Sequence, residues 1–484
     1  MKNKKDIGAS LLQVMFNNKV VLMIVLLCVV CLAIADTTAS YVLGEVVTRF
    51  GRNTCLVLAL IIPCLAGLGM NFGIVVGATA AQIAIFFVAY WGFRGIGGFL
   101  LCALMSTPLA VLFGWMLGRV YNKTKGSEMI TGLVVGFLAD GLYRLFVLYI
   151  IGGIIPYNDP NLLPRGFGLR NAFDLSRSGM KYALDDVSLL VVLRIALAAL
   201  ALYVLVRYIF EGKHKGISKK DAAAQMAACA AGFGLTFAVP AVPGLNAMMG
   251  GSRIYIYDAI TVSAVCVILY TLIVKVLIAR KKGLPVNAKR AAVTVAVSAL
   301  LFASTYIGPV FEVMRTVTLA PAAFAAIWLF CIINNWILDT RLGMDMRTVG
   351  QSRTVAVSAG INVNRIRIIA TCISTVLAAW GQLIFLQNLG TFNTVQQQSY
   401  VGLYAVAAIL VGGANVYKAT NKQALLGVLL FHFLFIVAPL AATKIVGDSA
   451  ISEYIRMFIS YGIITIALAM HTWTKVKSSF AKAK

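Results

Sequence analysis

Apolar runs of about 20 residues, each closed by a short polar or basic segment, recur along the whole chain. That length is what a helix needs to cross a hydrocarbon core roughly 30 Å thick. Fourteen candidate spans are marked out: 18–36, 54–73, 77–92, 95–118, 129–153, 188–209, 222–241, 258–279, 291–308, 320–338, 368–386, 400–413, 423–440 and 453–472. The runs are long and do not alternate, which predicts helices rather than the strands of a barrel; lipid admits only backbones whose polar groups are satisfied internally. The expected fold class is an all-α polytopic membrane protein with about 10–14 transmembrane helices. Residues 63–78 (PCLAGLGMNFGIVVGA) combine Pro63 with closely spaced glycines, which predicts a broken or re-entrant helix there.

Composition sharpens this picture. The 484 residues are 60% hydrophobic and 12% charged, with mean hydropathy +0.89, which excludes an ordinary multidomain soluble enzyme. With the N-terminus inside, 27 of the 42 Lys and Arg fall in alternate loops, 10 in the opposite loops and 5 in the spans. This positive-inside bias puts both termini in the cytoplasm. The net charge of +25 is then explained by an anionic inner leaflet, with lipid as the partner and no nucleic acid. All nine cysteines lie within candidate spans, so they are read as apolar packing residues rather than a disulfide framework, Cys28-x-x-Cys31 included. Ala33-Ile34-Ala35 has the look of a signal-peptidase site, but with so many spans following it an uncleaved first helix is expected.

Catalytic and cofactor signatures are missing. A Walker-type G-x-x-x-x-G-K-[ST], H-E-x-x-H, G-x-S-x-G and paired Cys/His metal spacings do not occur. Three histidines exist: His214 in a basic loop, and His432 and His471 in or at the end of spans, better read as packed than as ligands. The chain is therefore expected to hold no metal or cofactor and not to be an enzyme, leaving transport, channel activity or scaffolding.

Polar residues inside spans are the remaining chemistry. Asp140 and Arg144 stand four residues apart, hence on one helix face. A lone charge at a helix centre costs roughly 2.5–3.5 kcal/mol on insertion scales, so both should face protein or water. They line a solute path, or they are a self-neutralising pair that locks the helix to its neighbours; both readings stand. Asn71, Gln82, Asn334, Asn335 and Gln382 are amides that can bond a sugar hydroxyl or a nucleobase, or equally join helices. Arg194, Arg207, Lys275 and Arg456 lie nearer span ends and are expected to snorkel. The long outer segment 154–187, with Pro156, Pro160 and Pro164, is either a tether or a docking face for an extracytoplasmic partner.

Between two apolar runs lies VGQSRTVAVSAGINVNR. Ser352 is a good N-cap and Gly360 a good C′ residue, bracketing about two helical turns on the cytoplasmic side. A helix this short needs a docking surface. Val355, Ala356 and Ala359 are expected to share a face that approaches another protein.

The stretch RLGMDMRTVGQSRTVAVSAGINVNRIRIIATCISTVLAAWGQLIFLQ resembles the cytoplasmic coupling segment of ATP-binding cassette permeases of the branched-chain amino acid, ribose and nucleoside importer family. Gly350, Ala356, Gly360 and Ile361 fit its pattern in one ungapped register, while Ser352-Arg353 stands where Asn-Pro is usual and Val357 where a basic residue is common. GLGMNFGIVVGATAAQ is similar to the family's broken-helix motif, without the Glu that often follows. GSEMITGLVVGFLADGL resembles a span of nucleoside and simple-sugar members, with Glu128 retained. YVGLYAVAAILVGGANVYKATNKQALLGVLL is similar to a late span, with Gly412-Gly413 retained. The likeness covers about 40–155 and 320–472 of a single permease domain, 1–484. Residues 186–318 hold four extra candidate spans and read as an insertion.

The resemblance implies an importer subunit in the bacterial cytoplasmic membrane that translocates a simple sugar or nucleoside. It implies coupling to an ATPase through Gly350, Ser352, Arg353, Val355, Ala356, Ala359, Gly360 and Ile361. The implied partners are a cytoplasmic ATP-binding subunit that holds ATP and Mg, an extracytoplasmic solute-binding protein, and a second copy or sister permease. Asn71, Gln82, Asp140, Arg144, Asn334 and Gln382 are the substrate-path candidates. Two alternatives stay open: an ion-coupled secondary transporter using Asp140, and a branched-chain amino acid permease of the same family.

Overall fold

The computed structural model describes residues 19–124, 126–151, 153–155, 172–176, 179–211, 219–272, 288–415, 418–448, 451, 454–459, 461–462 and 464–465. Both termini, His214, His471, Lys275 and the three prolines of the outer segment lie outside these residues.

Helices dominate. In chain order they are α1 (Lys19–Ile34), α2 (Ala39–Leu58), α3 (Ile74–Tyr90), α4 (Gly95–Lys123), α5 (Glu128–Leu145), α6 (Leu189–Glu211), α7 (Lys219–Ala238), α8 (Pro243–Met249), α9 (Ile256–Tyr270), α10 (Ala288–Thr305) and α11 (Gly308–Thr316), followed by α12 (Pro321–Asp339), α13 (Arg341–Gln351), α14 (Arg353–Ser358), α15 (Val363–Leu389), α16 (Gln397–Val411) and α17 (Asn421–Val446). Among the described residues seven helices are long and apolar enough to cross a membrane, or up to eight if α10 and α11, bent by 82° at their junction, form one broken span. Several of the fourteen sequence-marked runs are instead shorter apolar helices, among them Ile74–Tyr90 and Gln397–Val411.

The break expected near 63–78 falls at 64–73. Helix α2 runs through a turn at Ile61–Pro63 into the π-turn Cys64–Leu68, where Gly67 (φ +73°) and Gly69 (φ +72°) take left-handed backbone, and α3 starts only at Ile74. The boundary that departs furthest from the sequence reading is the start of the second span. The second span begins at Ala39 rather than 54, so Glu45, Arg49 and Arg52 sit within a helix and not in an outer loop. Their charges masked the apolar character of the other faces.

The chain divides into two compact units: residues 1–37, 45–184 and 326–484, and residues 38–44 and 185–325. The first has α3, α4 and α15 packed on one another at its centre. Close approach there rests on Gly114 and Gly118, one turn apart on α4. A β-carbon at Gly118 would stand 2.9 Å from the Ile368 Cα, and one at Gly114 2.8 Å from the Cys372 Cα, so only glycine admits the neighbouring backbone. The retained Gly412 serves α16 and α17 in the same way, since any side chain would collide with the Gln423 carbonyl and Gly427. The outer segment 154–187 is tied into this unit: β1 (Ala172–Asp174) pairs antiparallel with β4 (Thr391–Asn393), and Tyr182 donates to the Gln387 carbonyl at 2.9 Å. In the second unit α6 packs on α7, α9 packs on α10, and β2 (Ile254–Tyr255) pairs with β3 (Thr318–Leu319). Arg194 there lies over the Phe237 ring at 4.2 Å and donates to Thr236 Oγ1 at 3.1 Å.

Candidate coupling site and polar path

The cytoplasmic-type segment folds as two helices rather than a loop. Thr340 caps α13, accepting from the Gly343 amide, and Gly343, Met346 and Val349 form its buried stripe. Gly350, expected ahead of the short helix, lies in the last turn of α13. A β-carbon at Gly350 would collide with the Leu65 carbonyl, and one at Gly67 would stand 2.9 Å from the Gly350 Cα. Two glycine backbones therefore press α13 directly onto the π-turn of the broken helix.

Helix α14 follows after Ser352. The Ser352 Oγ accepts from the Val355 amide at 3.4 Å, and the C-terminus closes with Ile361 N donating to Ala356 O (2.9 Å) and Gly360 N to Val357 O (3.0 Å), Gly360 having φ +76°. This paired-bond closure is the helix-ending motif that a left-handed Gly permits. Asn362 Oδ1 then caps α15 by accepting from Arg365 N at 3.1 Å. Of the face expected to meet another protein, Ala356 turns inward and is fully buried, while Val355 and Val357 are 58% and 64% exposed and Ala359 is exposed. Thus α14 is anchored by Ala356 and presents its valines outward.

Arg353 is the second anchor. Its guanidinium bonds Glu128 at the start of α5, and the same carboxylate oxygen accepts from Arg367 Nη2 at 2.5 Å. Arg367, counted from the sequence as a loop charge, is fully buried in the first turns of α15. Beside this triad Tyr121 donates to Asn71 Oδ1 at 2.6 Å, Asn71 reaches Ser374 Oγ at 3.4 Å, and Ser374 donates to the Ala59 carbonyl at 2.8 Å. The chain of side-chain bonds thereby ends on backbone, where the Ser374 hydroxyl satisfies the Ala59 carbonyl just ahead of the break. Neither Tyr121 nor Arg367 was found from the sequence, because each acts through residues far away along the chain.

The six path candidates do not form one cluster. Asn71 belongs to the buried chain just described. Asn334 donates to the Leu58 carbonyl at 3.0 Å and to Asn421 Oδ1 at 3.3 Å, and Asn421 bonds Asn335 at 3.0 Å, so these amides join α2, α12 and α17. The Asp140 carboxylate accepts from Arg144 at 2.6 Å and from Gln398 at 2.6 Å. Gln82 and Gln382 are fully buried, and both atoms of each amide lack a hydrogen-bond partner. Buried amides are normally hydrogen-bonded, and these two are polar positions that the surrounding side chains and backbone leave unpaired. They lie on neighbouring helices: Gly77 of α3 abuts Thr375 and Ala378 of α15, with Gln82 five residues beyond the first and Gln382 four beyond Ala378.

A further polar group in the same unit lay outside the sequence reading. Glu45 accepts from Arg49 Nε at 3.1 Å. Arg49 lies over the Phe435 ring at 5.7 Å, Arg456 over the same ring at 5.9 Å, and Arg52 over Phe385 at 5.6 Å. Spacing i, i+4, i+7 for Glu45, Arg49 and Arg52 is the signal that could have shown it. Among the described residues no group of three or more His, Cys, Asp or Glu stands ready to hold a metal, and the eight cysteines whose side chains are described are all free thiols.

Comparison with known proteins fits this architecture. The family described as "Branched-chain amino acid transport system / permease component" matches residues 195–468, more than half of the chain, and the chain belongs to that family. It is a multi-pass membrane protein of the permease class. The matched residues contain α13, α14 and the Gly412 corner, and they take in much of 186–318. Among curated relatives, the ribose import permease protein RbsC of Haemophilus influenzae is 29% identical over 136 residues, covering 28% of this chain and 40% of that protein. The autoinducer 2 import system permease protein LsrC of Enterobacter sp. is 32% identical over 115 residues, 24% of this chain and 32% of that protein. The Klebsiella pneumoniae protein of the same name is 32% identical over 103 residues, 21% of this chain and 29% of its own length. The chain thus spans 29–40% of the length of these curated relatives. No solved structure matches it.

Proposed function

We propose that this chain is the membrane-spanning subunit of an ATP-binding cassette importer of the bacterial cytoplasmic membrane, moving a small sugar-like solute inward. The observation that carries the reading is the capped helix α14, pinned at Arg353 and Ala356 with its valines exposed, next to α13 pressed on the broken helix. Membership of the permease family and relatives named for ribose and autoinducer 2 import support it.

In this mechanism a cytoplasmic ATPase, which binds ATP and Mg, grips the outer edge of α14. A rigid shift of α13–α14 is passed through the Gly350–Gly67 contact and the Glu128 triad to the broken helix and to α5 and α15. Those elements carry Gln82 and Gln382, which serve as path residues whose unpaired amides accept the solute's hydroxyls. Delivery comes from an extracytoplasmic binding protein, the pore is completed by a second copy or sister permease, and both termini are cytoplasmic. Residues 186–318 are an accessory insertion, a reading supported by the compact unit of 38–44 and 185–325 that takes them in. Asp140, the residue an ion-coupled mechanism would use, is already engaged by Arg144 and Gln398, which favours the ATP-driven reading.

Single cysteines at Val355 and Val357, in a chain with the native thiols replaced, should crosslink to the co-expressed ATPase subunit, and one at buried Ala356 should not. Absence of crosslinks from both valines would sink the docking assignment.

A further inference from the structure

Three helices of the first unit meet around Asp140, and their contacts set the register. A β-carbon at Gly136 of α5 would stand 3.8 Å from the Val75 Cβ of α3, and one at Gly402 of α16 2.8 Å from the Val75 Cγ2. Further along, Phe86 of α3 shares a buried cluster with Tyr143 and Val147, so α3 and α5 run the same way. Gln398, one turn before Gly402, donates at 2.6 Å to Asp140, one turn after Gly136, so α16 runs against them. Past that bond, Tyr143 and Gln82 each follow the Gly136–Val75 contact by the same two turns along their helices. Gln82 shares a face of α3 with Phe86, one turn on.

The groups gathered there are buried and unpaired. Gln82 and Gln398 are fully buried, and Tyr143 is 3% exposed. Both amide atoms of Gln82, the Gln398 Oε1, the Tyr143 hydroxyl and the Arg144 Nε have no hydrogen-bond partner in the protein. Unsatisfied buried groups destabilise a fold, and a local concentration of them is what a binding site shows and a packed core does not. Asp140 and Arg144, bonded at 2.6 Å, cancel each other's charge, so the site is neutral. It offers donors from Gln82 and Arg144, acceptors on Gln82 and Gln398, and a Tyr143 hydroxyl that does either. A sugar hydroxyl also donates and accepts, so a row of hydroxyls satisfies both sets. A phosphate only accepts, and it would meet two amide oxygens and the Asp140 carboxylate with no free charge to offset them.

We propose that Gln82, Tyr143 and Gln398 form a solute-binding site for an uncharged polyol, that the Asp140–Arg144 pair positions Gln398 in it, and that the site rejects phosphorylated sugars. This rests on the permease reading and narrows its solute to the uncharged form. It also gives Asp140 a part in transport that needs no ion: its carboxylate holds the Gln398 amide so that Oε1 stays free for a hydroxyl.

The test uses the full chain in lipid nanodiscs, titrated with ribose, xylose and galactose and, separately, with ribose 5-phosphate and galactose 6-phosphate. At least one uncharged sugar should bind saturably, and the phosphate esters should bind about tenfold more weakly or not at all. Gln82→Leu and Tyr143→Phe remove groups that have no partner in the protein. Their unfolding midpoints should therefore equal or exceed the wild type while sugar affinity falls about tenfold. Asp140→Ala, which frees the Gln398 amide, should weaken the sugar as much, and Asp140→Asn should restore most of the loss. No saturable binding of any of the three sugars, or a phosphate ester bound as tightly as its sugar, overturns the proposal. So do lowered midpoints with unchanged affinity in Gln82→Leu and Tyr143→Phe, which would make both packing residues. None of these results bears on the ATPase crosslinks from Val355 and Val357, so the permease reading and the polyol site fail separately.

Discussion

Glu128 shows how one side chain carries a site. It starts α5, where a carboxylate favours the helix dipole, and a single oxygen accepts from both Arg353 and Arg367. The two arginines are unequal: the Arg353 side chain is 36% exposed and Arg367 is fully buried, with two of its nitrogens already unpartnered. Removing Glu128 therefore strands a buried cation, which costs about 3–5 kcal/mol, whereas losing an exposed partner costs about 1 kcal/mol or less. Glu128→Gln should lower the unfolding midpoint in detergent far more than Arg353→Gln, and Glu128→Leu with Arg367→Leu should recover most of the loss. Equal destabilisation by the two single variants would show that Arg353 carries as much of the load as Arg367. The sequence exposed only part of this chemistry. Asp140 and Arg144 were legible because their partnership is local, four residues along one helix. Arg367 was not, because its partner lies 239 residues away and its position beside a basic loop made it look like an anchor charge.

At the scale of elements, the short helix was legible to the residue. Ser352 caps it and Gly360 closes it through left-handed backbone, as their types require. The broken helix was legible from Pro63 and its glycines for the same reason. The helical start of α2 was not, since Glu45, Arg49 and Arg52 on one side make an amphipathic helix resemble a loop when only long apolar runs are sought. Nor could the contact between Gly350 and Gly67 be read, because glycine in sequence shows freedom but not whose backbone approaches. That contact makes a prediction that separates the two helices. Gly350→Ala must push α13 off the Leu65 carbonyl, so amide exchange should rise together in 64–70 and 343–351. Gly360→Ala strains only the end of α14, at roughly 1–2 kcal/mol for the left-handed residue, and should quicken exchange at Gly360 and Ile361 while leaving 64–70 protected. Independent responses of 64–70 and 343–351 to Gly350→Ala would mean that the two segments are not mechanically joined.

For the whole molecule the decisive question is where the work of transport enters. An ion-coupled carrier takes it from a titratable group within the membrane, and Asp140 is the group available. Its two interactions, with Arg144 on its own helix and Gln398 on α16, satisfy the carboxylate without a bound ion. In the proposed ATP-driven mechanism the work enters at α14, which offers exposed valines on an anchored helix, and at α13, which touches the broken span. The two mechanisms respond oppositely to the energy supply. In cells expressing the chain with its partner subunits, uptake should fall with ATP depletion and persist when an uncoupler collapses the ion gradient while ATP is held constant. Asp140→Asn should keep that energy dependence, because the amide oxygen can still accept from Arg144 while its NH2 donates to Gln398 Oε1 once that amide turns over. Uptake that survives ATP depletion but not the uncoupler, and disappears in Asp140→Asn, would move the driving force from the α13–α14 edge to the membrane interior.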